Sequence, residues 1–176
     1  MQYLLLIVAI VATLALCSGL FYLLAKRFFD NQQKQQMLQL KMDERRELAK
    51  VAAPIRLQAY ERMALFLERI SPNSLILRCY QPGMDMKLLQ GVMTKNIRDE
   101  WEHNLSQQIY LSDTVWQRVC EAKTDIESII NTVAADYDKD ADSREFAEMV
   151  LTVTAQKPVV ELAIQILKAD MQNWAY

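Results

Sequence analysis

The apolar positions of this chain change rhythm as it proceeds. From Tyr3 to Ala25 no Asp, Glu, Lys, Arg or His interrupts a run dense in Leu, Ile, Val and Ala. At about 1.5 Å per residue that run makes a helix of roughly 34 Å, enough for a hydrocarbon core of about 30 Å, and it predicts a transmembrane helix over 1–25. Phe28 to Ala53 then turns polar and Gln-rich, without Gly or Pro. Its apolar residues (Met37, Leu40, Leu48, Val51, with Ile55 beyond) mix spacings of three and four too irregularly for a sustained heptad. This predicts a helical stalk over 26–53.

From Pro54 onward the rhythm is that of amphipathic helices. Pro54 is expected to open a new helix, since proline is accepted at a first helical position. Ile55, Ala59, Met63, Phe66, Leu67 and Ile70 share one of its faces. Ser71-Pro72 restarts a short helix burying Leu75, Ile76 and Cys79, and Gln81-Pro82-Gly83 breaks it. The next helix is predicted from about Asp85 to Gln108, with Leu89, Val92, Met93, Ile97, Trp101, Leu105 and, just past that end, Ile109 recurring every three or four residues. Ser112 caps a long helix carrying Val115, Val119, Ala122, Ile126, Ile130 and Val133. Asp136 to Asp142 reads as an acidic loop, and Asp142-Ser143-Arg144-Glu145 as a capping box. Lys157-Pro158 precedes a last helix from Val159 to about Trp174, whose apolar residues surround enough of it to predict a central place in a bundle. No stretch alternates with period two. The predicted fold is all-α: a transmembrane helix, a stalk, and over 54–176 a bundle of about five or six helices.

Composition supports helices, with only three Gly and four Pro. The net charge of −2 hides an asymmetry. Lys26 to Arg56 holds eight bases against four acids, +4; Leu57 to Tyr176 holds twelve against eighteen, −6. The acidic distal part excludes nucleic acid as the expected partner. Basic residues flank only the C-terminal side of the apolar run, so the positive-inside rule predicts an inner-membrane, single-pass protein with the N-terminus outside and the bundle in the cytoplasm. Lys26, Arg27 and Lys34 would contact the membrane surface, and the lipid bilayer is an expected partner. A cleaved signal peptide fits less well, because the n-region has no base and the apolar run is long. Leu14-Ala15-Leu16-Cys17 approaches a lipobox but departs at Leu16.

No arrangement of residues announces a chemistry. Glu100-Trp101-Glu102-His103 has the Glu-x-x-His spacing of di-iron bundles, but His103 is the sole histidine and a second motif is needed. Asp136, Asp138, Asp140 and Asp142 fail an EF-hand at positions six and twelve in either register. Cys79 and Cys120 are isolated, at core-facing positions where thiols are inert, and no C-x-x-C occurs. No P-loop, dinucleotide-binding glycine pattern or nucleophile elbow is present. The expectation is therefore no catalytic site, no cofactor and no metal. Tyr60, His103, Asn104, Trp116 and Trp174 are the candidate partner contacts, as polar or aromatic residues on otherwise amphipathic helices.

Two stretches carry a likeness: Arg56-Leu57-Gln58-Ala59-Tyr60-Glu61-Arg62 with Leu65-Phe66-Leu67-Glu68-Arg69-Ile70, and Glu102-His103-Asn104-Leu105-Ser106-Gln107-Gln108-Ile109-Tyr110. With the N-terminal run they resemble a family of uncharacterised bacterial single-pass membrane proteins. The resemblance covers most of the chain after Pro54. It implies the layout and no activity. The expected function is a non-enzymatic, membrane-tethered interaction module, a scaffold or accessory subunit with a protein partner or a second copy of itself. The alternative is a small-ligand or lipid sensor, with methionines such as Met63, Met86, Met93 and Met149 lining a plastic cavity.

Overall fold

The computed structural model describes residues 1–137 and 141–175; the side chains at 4, 5, 8–12, 174 and 175 lie outside the description. Among the described residues there are six α-helices: α1 (Gln2–Ile70), α2 (Pro72–Cys79), α3 (Met86–Asn104), α4 (Asp113–Ala135), α5 (Ser143–Gln156) and α6 (Val159–Ala175). A 3-10 helix, Leu105–Tyr110, continues α3. The chain divides into two compact units, Met1–Ala52 and Ala53–Tyr176.

The first unit is helical, and its described side chains are exposed apart from a partly covered Ala25. Leu14, Phe21, Tyr22, Phe28, Phe29 and Leu40 are among the large apolar ones. The transmembrane helix expected over 1–25 requires correction. Among the described residues no single helix is long and apolar enough to cross a membrane. α1 also has no end at Ala25; it continues through Lys26 and Arg27 into the Gln-rich stretch. Part of the expected span, the side chains at 4, 5 and 8–12, falls outside the described residues. The readings built on that span lose their premise with it: the single-pass layout, the bilayer as partner, the inner-membrane location, and the headgroup role of Lys26, Arg27 and Lys34, which are exposed side chains on α1. One bent pair, Ser143–Gln156 with Val159–Asn173 at 47°, has the length and composition of a span taken together. Its Phe146, Val150, Val160 and Leu167 are buried in the core, which accounts for that composition.

The expected helix start at Pro54 also moves, since Pro54 lies inside α1. Proline removes one backbone hydrogen bond and crowds the preceding turn, but the helix on either side continues. Within the second unit the last turns of α1 bury Ala59, Tyr60, Met63, Phe66, Leu67 and Ile70, one face at spacings of three and four. Ile55 stays 44% exposed.

Local chemistry sets most of the remaining boundaries. Pro72 stands at the start of α2; Ser71 precedes it without capping, its Oγ donating to the Glu68 carbonyl and to Ser74 Oγ. Gly83 takes φ +86 in the turn closed by Met84 N–H to the Gln81 carbonyl, the place after Pro82 where glycine is needed. Asp85 accepts from Leu88 N at 2.7 Å and Ser112 from Val115 N at 3.4 Å. Asp142 caps α5 by accepting from Arg144 N, not from Glu145 as a capping box would have it. The loops before α3 and α5 meet at a bridge between Asp85 and Asp142, with Met86 N–H donating to the Ala141 carbonyl.

α4 holds the centre of this unit. It packs against α3, α5 and α6, and buries Val115, Val119, Ala122, Ile126, Ile130 and Val133. The sequence pointed to α6 for that place. Among the described residues of α6 only Val160, Ala163 and Leu167 are buried, and Leu162 is 54% exposed.

A second departure matters more. The predicted stripe of α3 included Leu105 and Ile109, but the α-helix stops at Asn104 and the chain winds on as 3-10 helix. At about 3.0 residues per turn, four residues advance the direction by roughly 120° past a full turn instead of about 40°. Ile109 therefore leaves the buried stripe and stands 72% exposed, and Leu105, at the junction of the two windings, is 42% exposed. No residue of the 3-10 helix is buried, and Leu111 beyond it returns to the core.

Candidate functional site

A cleft of about 220 Å³ opens in the second unit between the end of α1 and the end of α3, lined by Arg62, Leu65, Phe66, Arg69, Glu100 and His103, with Asn104 beside them. The amphipathic stripe of α1 builds one wall. Phe66 is wholly buried, while Leu65, one position before it, and Arg62 and Arg69, about a turn away on either side, are exposed. Glu100, His103 and Asn104 come from the last turn of α3.

The charges are arranged around Glu100. Its Oε1 lies 2.7 Å from Arg69 Nη2 and 3.6 Å from Arg78 Nη1. Arg78 also donates from Nη2 to the Arg69 carbonyl at 2.6 Å, satisfying a backbone acceptor at the end of α1. The Glu100 side chain is only 19% exposed, so this carboxylate is held by two guanidinium groups in a partly desolvated place. His103 sets Nδ1 2.6 Å from the Asp99 carbonyl, an acceptor, so Nδ1 is the donor in that contact. Asn104 Nδ2 donates to the Glu100 carbonyl at 2.8 Å. Arg62 makes no ion pair among the described residues.

An aromatic stack supports the floor. Phe66 packs on Trp101 with centroids 5.6 Å apart, and Trp101 stacks on Trp116 of α4 at 4.8 Å and 22°. Lys123 sits 5.7 Å from the Trp101 ring and pairs with Glu127 at 2.8 Å. These contacts fix the cleft walls against α4.

The candidate contacts chosen from sequence are thus dispersed. His103 and Asn104 are in the cleft. Trp116 lies behind it, partly buried in the stack. Tyr60 is 2% exposed; its hydroxyl donates to Asp170 of α6, and Arg56 lies 6.0 Å from its ring. Burial, and then the hydrogen bond to Asp170, raise the Tyr60 phenol above its ordinary value of 10.0. The Trp174 side chain lies outside the described residues. Sequence reasoning missed Arg62, Leu65, Arg69 and Arg78. The spacing of Arg62, Phe66 and Arg69 along one helix was a signal, but the pairing of Arg69 with Glu100 joins helices remote in sequence.

Other candidate chemistry is accounted for by packing. Cys79 is 3% exposed, and burial pushes its thiol and that of Cys120 above their ordinary value. Glu100, half of the Glu-x-x-His pair, is bound by the two arginines. Among the described residues no group of three His, Cys, Asp or Glu is placed to hold a metal ion. Of the acidic loop, Asp138 and Asp140 lie outside the description. A second cavity of about 290 Å³ lies among the starts of α2 and α6 and the end of α5, with Asn73, Thr154, Lys157 and Glu161 as its polar lining. Thr154 already donates to the Val150 carbonyl.

A family model described as Family of unknown function (DUF7935) matches residues 2–174. No curated protein and no solved structure matches the chain. The likeness to bacterial single-pass membrane proteins is corrected by this match, whose description names neither a membrane nor a source.

Proposed function

The chain belongs to the family of unknown function DUF7935, and we propose, from its own surface, that it is a non-enzymatic interaction module, a scaffold or accessory subunit that docks a protein partner. The docking face is the end of α3, the 3-10 helix and the adjoining turn of α1. One observation carries this reading. Leu105 and Ile109 follow the apolar rhythm of α3, yet they are turned outward at 42% and 72% exposure. Leu65, across the cleft from His103, adds a third apolar side chain at 61% exposure. Apolar groups beside arginine and aromatic residues are the composition of interface centres. The sensor reading has less support, because Met63, Met86 and Met93 fill the core at no more than 3% exposure.

Site-specific photocrosslinking in the full-length chain tests the proposal. A crosslinker at Ile109 is expected to capture a discrete protein partner, with capture lost in Leu105→Glu. The same group at Leu162, exposed on α6, is the control. No discrete product from Ile109, or the same products from both positions, overturns the reading.

A further inference from the structure

The cleft also indicates what kind of partner segment fits it. Resting on the interaction reading above, we propose that the Arg62–His103 side of the cleft receives a carboxylate from an acidic, apolar-flanked segment of the partner protein, whose neighbouring apolar side chain packs on Leu65. Two guanidinium groups, Arg69 and Arg78, hold a single carboxylate, Glu100, and a third, Arg62, lines the same cleft. Arg69 and Arg78 are engaged with it; Arg62 is exposed and has no ion pair among the described residues. His103, which lines the cleft with Arg62, is anchored through Nδ1 to the Asp99 carbonyl, so Nδ1 is already engaged. Of the other carboxylates at the end of α3, Asp99 is paired with Lys95 and Glu102 is not among the residues that line the cleft. The cleft is therefore a basic spot on a region that is acidic overall, −6 over Leu57 to Tyr176. Such a spot steers and orients an acidic ligand while the surrounding charge repels it elsewhere.

The apolar rim decides between a peptide and a free anion. Leu65, exposed in the cleft lining, is of no use to a bare phosphate and matches a side chain that flanks an acidic residue in a peptide; Leu105 and Ile109 are exposed on the 3-10 helix that follows Asn104. Glu100 excludes a second carboxylate from Arg69 and leaves the guanidinium of Arg62, with its planar pair of donors, to take it.

Fluorescence anisotropy with the full-length chain, kept in mild detergent because of its exposed apolar N-terminal side chains, provides the test. The probes are a short labelled peptide alternating Glu and Leu, its Gln–Leu isostere, and inorganic phosphate as competitor. The Glu–Leu peptide is expected to bind about tenfold tighter than the isostere, the weight of one charge-assisted contact. Arg62→Gln should abolish that preference and leave the weaker binding intact, and Arg62→Lys should restore part of it. Arg62 is exposed, so melting curves of the variants should match the wild type. Equal affinity for the two peptides, no binding of either, an indifferent Arg62→Gln, or displacement by millimolar phosphate each overturns the proposal. Capture through Ile109 that survives Arg62→Gln unchanged would fail this inference alone, whereas absence of capture through Ile109 would fail the interaction reading.

Discussion

Ile97 and Ile109 occupy the same apolar stripe in the sequence, yet the structure gives them opposite fates. Ile97 is wholly buried and Ile109 is 72% exposed. Replacing each by Ala in the full chain measures that difference. For Ile97 the loss combines transfer of the side chain with the cavity left behind, about 2–5 kcal/mol. For Ile109 little more than a quarter of the side chain is covered. Scaling a full burial of about 1.5–3 kcal/mol by that fraction gives roughly 0.4–0.8 kcal/mol. Alanine's better helix propensity offsets a few tenths of it. Urea unfolding followed by tryptophan emission reads both, since Trp101 and Trp116 stack within the affected unit. With a slope of about 2 kcal/mol per M, Ile97→Ala should lower the midpoint by roughly 1–2.5 M and Ile109→Ala by less than about 0.4 M. Similar shifts for the two variants would refute the change of winding after Asn104, and with it the outward apolar rim on which the docking face depends.

Tyr60→Phe should cost about 1–2 kcal/mol, because the buried hydroxyl that donates to Asp170 is lost. Its pH dependence has a definite sign. The folded-state phenol titrates above the ordinary 10.0, so it contributes stability that is complete below that pH and lost as pH rises through the folded-state value. Chemical denaturation across the alkaline range should show Tyr60→Phe losing less stability there than the wild type, and parallel losses would contradict the burial of this side chain. Alkylation at mildly alkaline pH should modify exposed Cys17 first, half-covered Cys120 more slowly and Cys79 only on unfolding, as their exposure and the raised Cys79 and Cys120 thiols require. Peptide mass mapping over time checks the order, and early labelling of Cys79 would be inconsistent with its packing.

Most helix starts were legible because capping is local chemistry. Asp85, Ser112 and Asp142 each accept a backbone N–H two or three residues ahead, and Pro72 needs only to lack its own. The helical type and approximate extent of α2 to α6, and the buried faces of α2, α4 and α5, follow from the same short-range periodicity. The membrane reading had no such footing. It took a local run of apolar residues as a statement about surroundings, and among the described residues no single helix meets the requirement for a span. Pro54 misled in the opposite direction, since a residue that disfavours a helix interior is tolerated when the flanking turns continue.

Sequence alone determined that this chain is helical and where its charge lies. Tertiary structure decided which helix is central, where α3 changes its winding, and that Arg62 and Arg69 share one cleft with Glu100 and His103 while Arg78 also reaches Glu100. The division has a physical cause. Periodicity and capping act over a few residues and are written in adjacent letters. Which apolar stripe is covered, and which charge finds a partner, depends on helices brought together from distant parts of the chain.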